Sequence, residues 1–513
     1  MRLNTHSGYA IHAGSGGIMR RTLLTLGLAI SLGIGTAQTL ELAVDSSPAG
    51  LDPHVVTAFA STAILGQIYD GLLELNADLE LEPALATDYS VSDDGLAYTF
   101  ELRDGVTFHD GSAFTAEDVV YSYERLVAEE TGSPLASRLA QVASVEALDA
   151  GTVRFELAAP FAPFLNNLTS LSIVSQEAVE ANDGLQQVAV GTGPFMLDEV
   201  VPDTYTLLVA NPNYYREGEP GVDALRYNVV PEASTRAAGL RTGAYHLIPD
   251  VDPATAQTLG NVSGITLLGV QELSYSLLGM NASRAPFNDP VVRNAFNLAL
   301  DREEIVEAVY FGNAVPGGPL SPGLASWALP TSEYACYGAD PEAARAALEE
   351  AGYELPIQIE LVTLGTVGVV VDTAQVAQAQ LAQAGFDLQV SVEELGTFVQ
   401  RWRNSDFDAF ASLNGGNADP DGYLHRTFST GGSTNVFLFS DPEVDALLDA
   451  GQTTVDVTAR QAIYADLQRA LACEGPVAHV AYATLFTAHA DDVVGFQQMP
   501  TRGLRYLRNV TLD

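Results

Sequence analysis

The sequence predicts a mixed α/β protein built as two lobes. Its 513 residues are more than a single hydrophobic core organises, so more than one folding unit is expected. Hydrophobic residues make up 47 % of the chain and charged residues only 17 %, the balance of a folded chain rather than a disordered one. Segments with the period of a strand alternate with segments of helical period, and no internal repeat, low-complexity tract or long linker interrupts them. That mixture fits two α/β lobes joined by strands that cross between them.

The first 37 residues stand apart. Met19-Arg20-Arg21, the apolar run Thr22 to Gly35 and the small residues Gly35 and Ala37 read as a secretory signal, too short to span a membrane. Residues 1–18 are a polar, Gly-rich extension ahead of a second Met. Cleavage after Ala37 removes Arg2, Arg20 and Arg21 and no acid. No Cys follows the signal, so the expected location is periplasmic or otherwise extracytoplasmic, without a lipid anchor.

Leu40 to Val44 alternates as a first strand. Ser46-Ser47-Pro48-Ala49-Gly50-Leu51-Asp52-Pro53 is a loop stiffened by its prolines. Ile64 to Leu73 is apolar at helical spacing, and Phe59 just upstream faces either a cleft or the core. Ala97 to Arg103 alternates as a half-buried strand, Asp104-Gly105 is a hairpin dipeptide, and Val106 to Phe108 is expected to return. Thr115 and Asp118 form a capping box for a helix whose apolar face carries Val119, Val120, Tyr123, Leu126 and Val127. Val153 to Leu157 is a strand, and Ala237 to Gly243 a short helix ending at Gly.

The second half repeats one form of punctuation. Asp289-Pro290, Asp340-Pro341 and Asp441-Pro442 each place an N-cap acid before a proline at the first helical position, with stops near Gly352 and Gly451 for the latter two. Asp301 and Glu304 open a helix to Phe311, Thr366 to Gly385 is helical, and Thr458 with Gln461 caps a helix to Cys473. Val477 to Ala488 is β-like and should cross back between lobes. Cys336 and Cys473 lack metal-ligand spacing; in an exported chain they are bonded or free, and spacing does not decide.

Composition excludes several functions. The formal net charge is −42, which disfavours nucleic acid and anionic lipid as partners. There is no lysine, so neither a P-loop nor Schiff-base chemistry is available. The zinc motif HExxH is missing, as is the nucleophile elbow G-x-S-x-G from the mature chain. No catalytic residue, cofactor or metal is expected.

The stretch Leu81 to Leu126, LEPALATDYSVSDDGLAYTFELRDGVTFHDGSAFTAEDVVYSYERL, resembles at length the signature of the ABC-transporter solute receptors that bind dipeptides, oligopeptides and nickel. Leu51-Asp52-Pro53, Tyr69-Asp70-Gly71-Leu72, Gly191-Thr192-Gly193-Pro194-Phe195 and the Asp419-Pro420-Asp421 run continue the resemblance. It implies a two-lobed type II periplasmic-binding-protein-like fold with an extra subdomain on the first lobe. The expected boundaries are 38–74, 190–270 and 486–513 for lobe I, 75–189 for the subdomain and 271–485 for lobe II. It also implies a non-catalytic receptor, expected as a monomer, that captures a peptide or similar solute and delivers it to an ABC permease. An oligosaccharide or other small solute is the alternative; a secreted hydrolase and a chaperone or adhesin are the rivals of other classes.

Candidate ligand-binding residues follow. The resemblance places Ser47, Pro48 and Ala49 at the cleft border, and Asn281 on a strand that crosses between lobes. Phe59 and Tyr275 offer aromatic walls. The loop Leu413 to Leu424 supplies Asn414, Gly415, Gly416, Asn417 and Asp419, with amides suited to peptide backbone or sugar hydroxyls. In peptide receptors of this family an acid at the position of Gly416 pairs with the ligand's amine; here that acid is missing, and Gly416→Asp is expected to improve binding of free-amine peptides. His425 lies near the loop, but one His alone makes a weak metal site.

Overall fold

The computed structural model describes residues 38–182, 184–365 and 367–513. The signal and its cleavage site lie outside the described residues. Residues Gln38–Asp513 form one compact unit. An 11-stranded sheet runs through it. The middle of that sheet is two long antiparallel strands, Ile265–Met280 and Val477–Ala490. On one side Val477–Ala490 pairs with Leu247–Val251, and the sheet continues through Thr39–Val44, Ala224–Val229, Tyr205–Ala210 and Phe195–Val201. On the other side Ile265–Met280 pairs with Ala409–Asn414, followed by Ile357–Leu364 and Phe386–Glu393. These two strands therefore link two sets of strands with separate hydrophobic cores. One core gathers Leu40, Leu42, Ile64, Ile68, Leu225 and Leu247, the other Leu278, Phe296, Ile305, Leu361, Leu381 and Phe386.

Residues 86–157 form a four-stranded antiparallel sheet of their own, ordered Ala86–Val91, Ala97–Leu102, Thr152–Leu157, Val142–Asp149. The helix Ala116–Val127 packs on it through Val119 and Leu126. The expected hairpin at Asp104-Gly105 does not form. Ala97–Leu102 pairs instead with Ala86–Val91, turned at Ser92 to Gly95, and with the distant Thr152–Leu157. Only a Thr107–Ala113 bridge remains beyond the turn. Both edges of the Ala97–Leu102 strand are already taken, so Val106 to Phe108 turns back on Ser112 to Phe114 instead.

The Asp-Pro signals hold. Asp289, Asp340 and Asp441 each accept a backbone N–H at the start of a helix. Asp301 does the same from the Glu304 N–H. Several helix limits differ from expectation: of Ile64 to Leu73 only the part to Ile68 is helical, in the helix Phe59–Ile68, and Leu73 begins a strand, while the helix expected from Ala237 begins at Ala233. The last long helix spans Val457–Glu474 and is capped by Asp456, which accepts from the Ala459 N–H, not by Thr458 with Gln461. The helix Pro442–Thr453 runs through Gly451, whose missing side chain makes room for the Tyr464 ring. Cys336 and Cys473 are joined in a disulfide with Cα atoms 5.6 Å apart.

Candidate ligand-binding site

The two long strands are in register from Ile265 opposite Ala490 to Gln271 opposite Thr484, and again from Tyr275 opposite Tyr482. Between these stretches Glu272, Leu273 and Ser274 are out of register. These three residues border a cavity of about 350 Å³. Arg138, Asn166, Asn167 and Thr169 from the small-sheet region form a second wall, Gly416 to Ala418 a third, and Pro500 to Arg502 a fourth. Elements from four separate parts of the chain thus converge on one hollow. Close by, the Ala162 N–H donates to the Gln452 carbonyl at 2.8 Å, and Asn166 Nδ2 to Asp419 Oδ2 at 3.4 Å.

The electrostatics of the cavity rest on two arginines. Arg502 donates from Nε to Glu272 Oε1 at 2.7 Å and from Nη1 to Asp250 Oδ2 at 2.9 Å. Arg138 forms no ion pair among the described residues. It is exposed, and its surroundings still desolvate it enough that this, followed by the charge of Arg426, draws its pKa below the usual arginine value.

The loop after Ala409–Asn414 is held rigidly. Asp419 is buried and takes both Arg460 Nη1 and Nη2 at 2.7 Å. Asn417 Oδ1 accepts the Asp419 N–H at 3.2 Å, and Asp419 Oδ1 accepts the Asp421 N–H at 2.9 Å. Burial, then the neighbouring Asp419 charge, pushes Asp421 up to about 6. Gly416 sits against the displaced strand: an ideal Cβ there would lie 2.1 Å from the Leu273 carbonyl oxygen. Any side chain at this position therefore displaces the strand, so Gly416→Asp cannot simply add a counter-charge, and the expected gain in amine binding gives way to a steric conflict.

The structure gathers some of the expected site residues and disperses others. Gly416 and Asn417 line the cavity, while Pro48 and Phe59 line a neighbouring hollow. Tyr275 is buried: its hydroxyl donates to Tyr423, and its ring lies 5.1 Å from His479 and 5.5 Å from Tyr482. Asn414 pairs opposite Tyr275 and donates to its hydroxyl at 3.0 Å. Asn281 spends its amide on the Ser405 and Phe407 carbonyls, at 3.0 and 3.2 Å. Ser47 Oγ accepts the Asp203 N–H at 2.8 Å, and the Ala49 N–H donates to Ser61 Oγ at 2.8 Å. Gly415 is exposed beside the cavity loop. Asp52, in the loop that resembles the family's entry segment, is buried and ion-paired with Arg125, whose Nη1 also donates to His54 Nδ1 at 2.9 Å. Sequence reading missed Arg138, Glu272 and Arg502, none of which carries a local motif.

The sequence profile described as bacterial extracellular solute-binding proteins, family 5 Middle, matches residues 80–435. The chain is 28 % identical over 505 residues to the glutathione-binding protein GsiB of Salmonella paratyphi A, covering 95 % of this chain and 98 % of that one. It superposes on the periplasmic binding protein DppA of Helicobacter pylori, solved with the peptide STSA, with a TM-score of 0.76 at 29 % identity over 92 % of this chain and 98 % of that one. Against the oligopeptide-binding protein AppA of Bacillus subtilis, solved with a nonapeptide, the TM-score is 0.77 at 26 % identity, over 93 % and 100 % of the two chains. The fold is thus the two-lobed type II periplasmic-binding-protein architecture. A cavity at the crossing strands, this architecture and a profile match over most of the length lead to one conclusion: the chain belongs to the family 5 bacterial extracellular solute-binding proteins, a family of ABC-transporter solute receptors.

Proposed function

We propose that the protein captures a small peptide-like solute bearing a free carboxylate and presents it, enclosed between its lobes, to the permease of an ABC importer. The observation that carries this reading is Arg138. A guanidinium facing a cavity without a protein counter-ion, in a chain of net charge −42, is poised for an anion from outside. A carboxylate completes it with two parallel charge-assisted hydrogen bonds. Asn166, Asn167, Thr169, Ser274 and Asn417 add amide and hydroxyl groups suited to main-chain amides. The relatives' ligands, glutathione, the peptide STSA and a nonapeptide, support the same class of ligand.

In this reading no covalent bond is made or broken. Closure is driven by the ligand's higher affinity for the closed form. Residues 38–74, 190–270 and 486–513 act as the first lobe, 75–189 as its added subdomain and 271–485 as the second. The protein works as a monomer, free in the periplasm or an equivalent extracytoplasmic space, after loss of its leader. Gly416 and Asn417 contact the ligand through the loop, and Glu272 takes the part of the absent acid near the ligand's amine.

Titration calorimetry tests the carboxylate. Tripeptides, glutathione included, are compared as free acids and as C-terminal amides, against the parent and Arg138→Gln. The parent is expected to prefer the acids by about tenfold or more, the value of one charge-assisted contact. Arg138→Gln is expected to abolish that preference. Equal binding of acid and amide by the parent would overturn the assignment.

A further inference from the structure

The break in register at Glu272, Leu273 and Ser274 is held by a segment from outside the two long strands. Ala314–Pro316 pairs with Ala481 to Ala483 of the strand Val477–Ala490. The chain then runs Gly317-Gly318-Pro319-Leu320-Ser321-Pro322-Gly323 to Leu324, a strap stiffened by its prolines. Its glycines let it lie close: an ideal Cβ on Gly317 would be 2.2 Å from the Tyr482 ring, and one on Gly318 2.4 Å from the Tyr334 ring. The Tyr482 hydroxyl donates to the Gly318 carbonyl at 2.8 Å, and the Tyr337 hydroxyl to the Gly317 carbonyl at 3.3 Å. Tyr334 and Tyr337 stand on either side of Cys336, whose disulfide to Cys473 ties this stretch down. Leu320 and Leu324 are buried in one core with Leu273, Tyr275 and Tyr482.

The strap meets the break at one side chain. Ser321 is 3 % exposed, and its hydroxyl donates to the Glu272 carbonyl at 2.8 Å. The same oxygen accepts the Gly323 N–H at 3.1 Å, which fixes the direction of the hydroxyl. Glu272 has no partner in register on Val477–Ala490, so Ser321 satisfies a carbonyl that the ladder leaves out. The next carbonyl, that of Leu273, lies against Gly416. The displaced peptide units are thus seated between the strap and the cavity loop. Without the Ser321 donor the Glu272 carbonyl would be a buried acceptor with no partner, a cost that its peptide unit escapes by rotating. The Glu272 side chain, which borders the main cavity, would turn with it.

We propose that Ser321 is a positioning residue of the ligand site: through the Glu272 carbonyl it sets the aim of the Glu272 carboxylate, and the strap from Ala314 to Leu324 is the frame that holds Ser321 in place. Ser321 itself touches no ligand. Arg502 fixes one oxygen of the acid, Oε1, at 2.7 Å, and Ser321 fixes the backbone from which the acid springs. Oε2, which takes no hydrogen bond from the described residues, is left for the ligand's amine. The acid missing at Gly416 is in this way replaced by one whose direction depends on a hydroxyl 49 positions further along the chain. This rests on the reading of Glu272 as the partner of the ligand's amine.

The test is calorimetry with the tripeptides Ala-Ala-Ala and glutathione, each against its N-acetyl derivative, on the parent, Ser321→Ala, Ser321→Thr and Tyr482→Phe. The parent is expected to prefer the free amines by about tenfold or more, the value of one charge-assisted contact. Ser321→Ala is expected to cut that preference by about threefold or more, the value of one hydrogen bond, while the N-acetyl peptides bind as before. Ser321→Thr keeps the hydroxyl and is expected to retain the preference. Tyr482→Phe leaves Ser321 in place but releases the strap at Gly318, and is expected to lower the preference in the same direction. A preference that Ser321→Ala leaves intact, or an equal loss for free and acetylated peptides, would overturn the positioning role alone. Should Ser321→Ala not fold, Tyr482→Phe decides by the same two outcomes. A parent that binds both forms alike would overturn the reading of Glu272 and the positioning role with it; a parent that binds no peptide would overturn the peptide reading itself.

Discussion

Asp70 shows how a single buried acid sets the pH response. It is buried beside Glu74, and the Thr192 hydroxyl donates to it at 3.1 Å. Burial first, and the Glu74 charge second, raise it from 3.8 to about 6 despite Arg508 and Arg505. Between those values the folded state binds more protons than the unfolded one, so this acid makes stability fall as pH rises from 4 to 6. His54 and His479 act oppositely. Burial lowers them to about 4 and about 3, so each is buried neutral and adds stability as pH rises towards 6.5. Asp70→Asn keeps an acceptor for Thr192 and removes the proton-linked penalty. Relative to the parent it is expected to gain about 2 kcal/mol between pH 4 and pH 7, read from urea midpoints at both values. An unchanged difference would place the Asp70 titration elsewhere.

Individual elements divide by how local their determinants are. Asp289-Pro290, Asp340-Pro341 and Asp441-Pro442 were legible because cap and helix start are adjacent, so one dipeptide carries both signals. The strands Ala97–Leu102 and Thr152–Leu157 were both legible, but their pairing was not, since alternation marks a strand without naming what it pairs with. The same divide runs through the site. Gly416 and Asn417 stand in one contiguous loop with a recognisable Asp-Pro-Asp run. Arg138 and Arg502 reach the same cavity from opposite ends of the chain, and no spacing connects them. The Cys336–Cys473 bond, left open by spacing, closes a separation of 137 residues onto the end of the Val457–Glu474 helix. Its reduction, or Cys336→Ser with Cys473→Ser, is expected to cost roughly 3–5 kcal/mol, measured by guanidinium unfolding with and without reductant.

At the scale of the whole molecule, two cores are tied by the same pair of strands, and the cavity proposed for the ligand opens where that pair loses its register. On the proposed reading a solute there touches both halves at once, which couples occupancy to lobe position. Small-angle scattering of the free and peptide-loaded protein is expected to show a smaller radius of gyration on loading; an identical radius would mean that capture proceeds without closure.

The interruption at Glu272, Leu273 and Ser274 has a consequence for the backbone itself. Amides outside a ladder are the ones a cargo molecule finds ready to bond, and also the ones a bending ribbon flexes about first. If capture proceeds as proposed, pivot and docking platform are the same three peptide units, and a mutation that stiffens the bend also reshapes the grip.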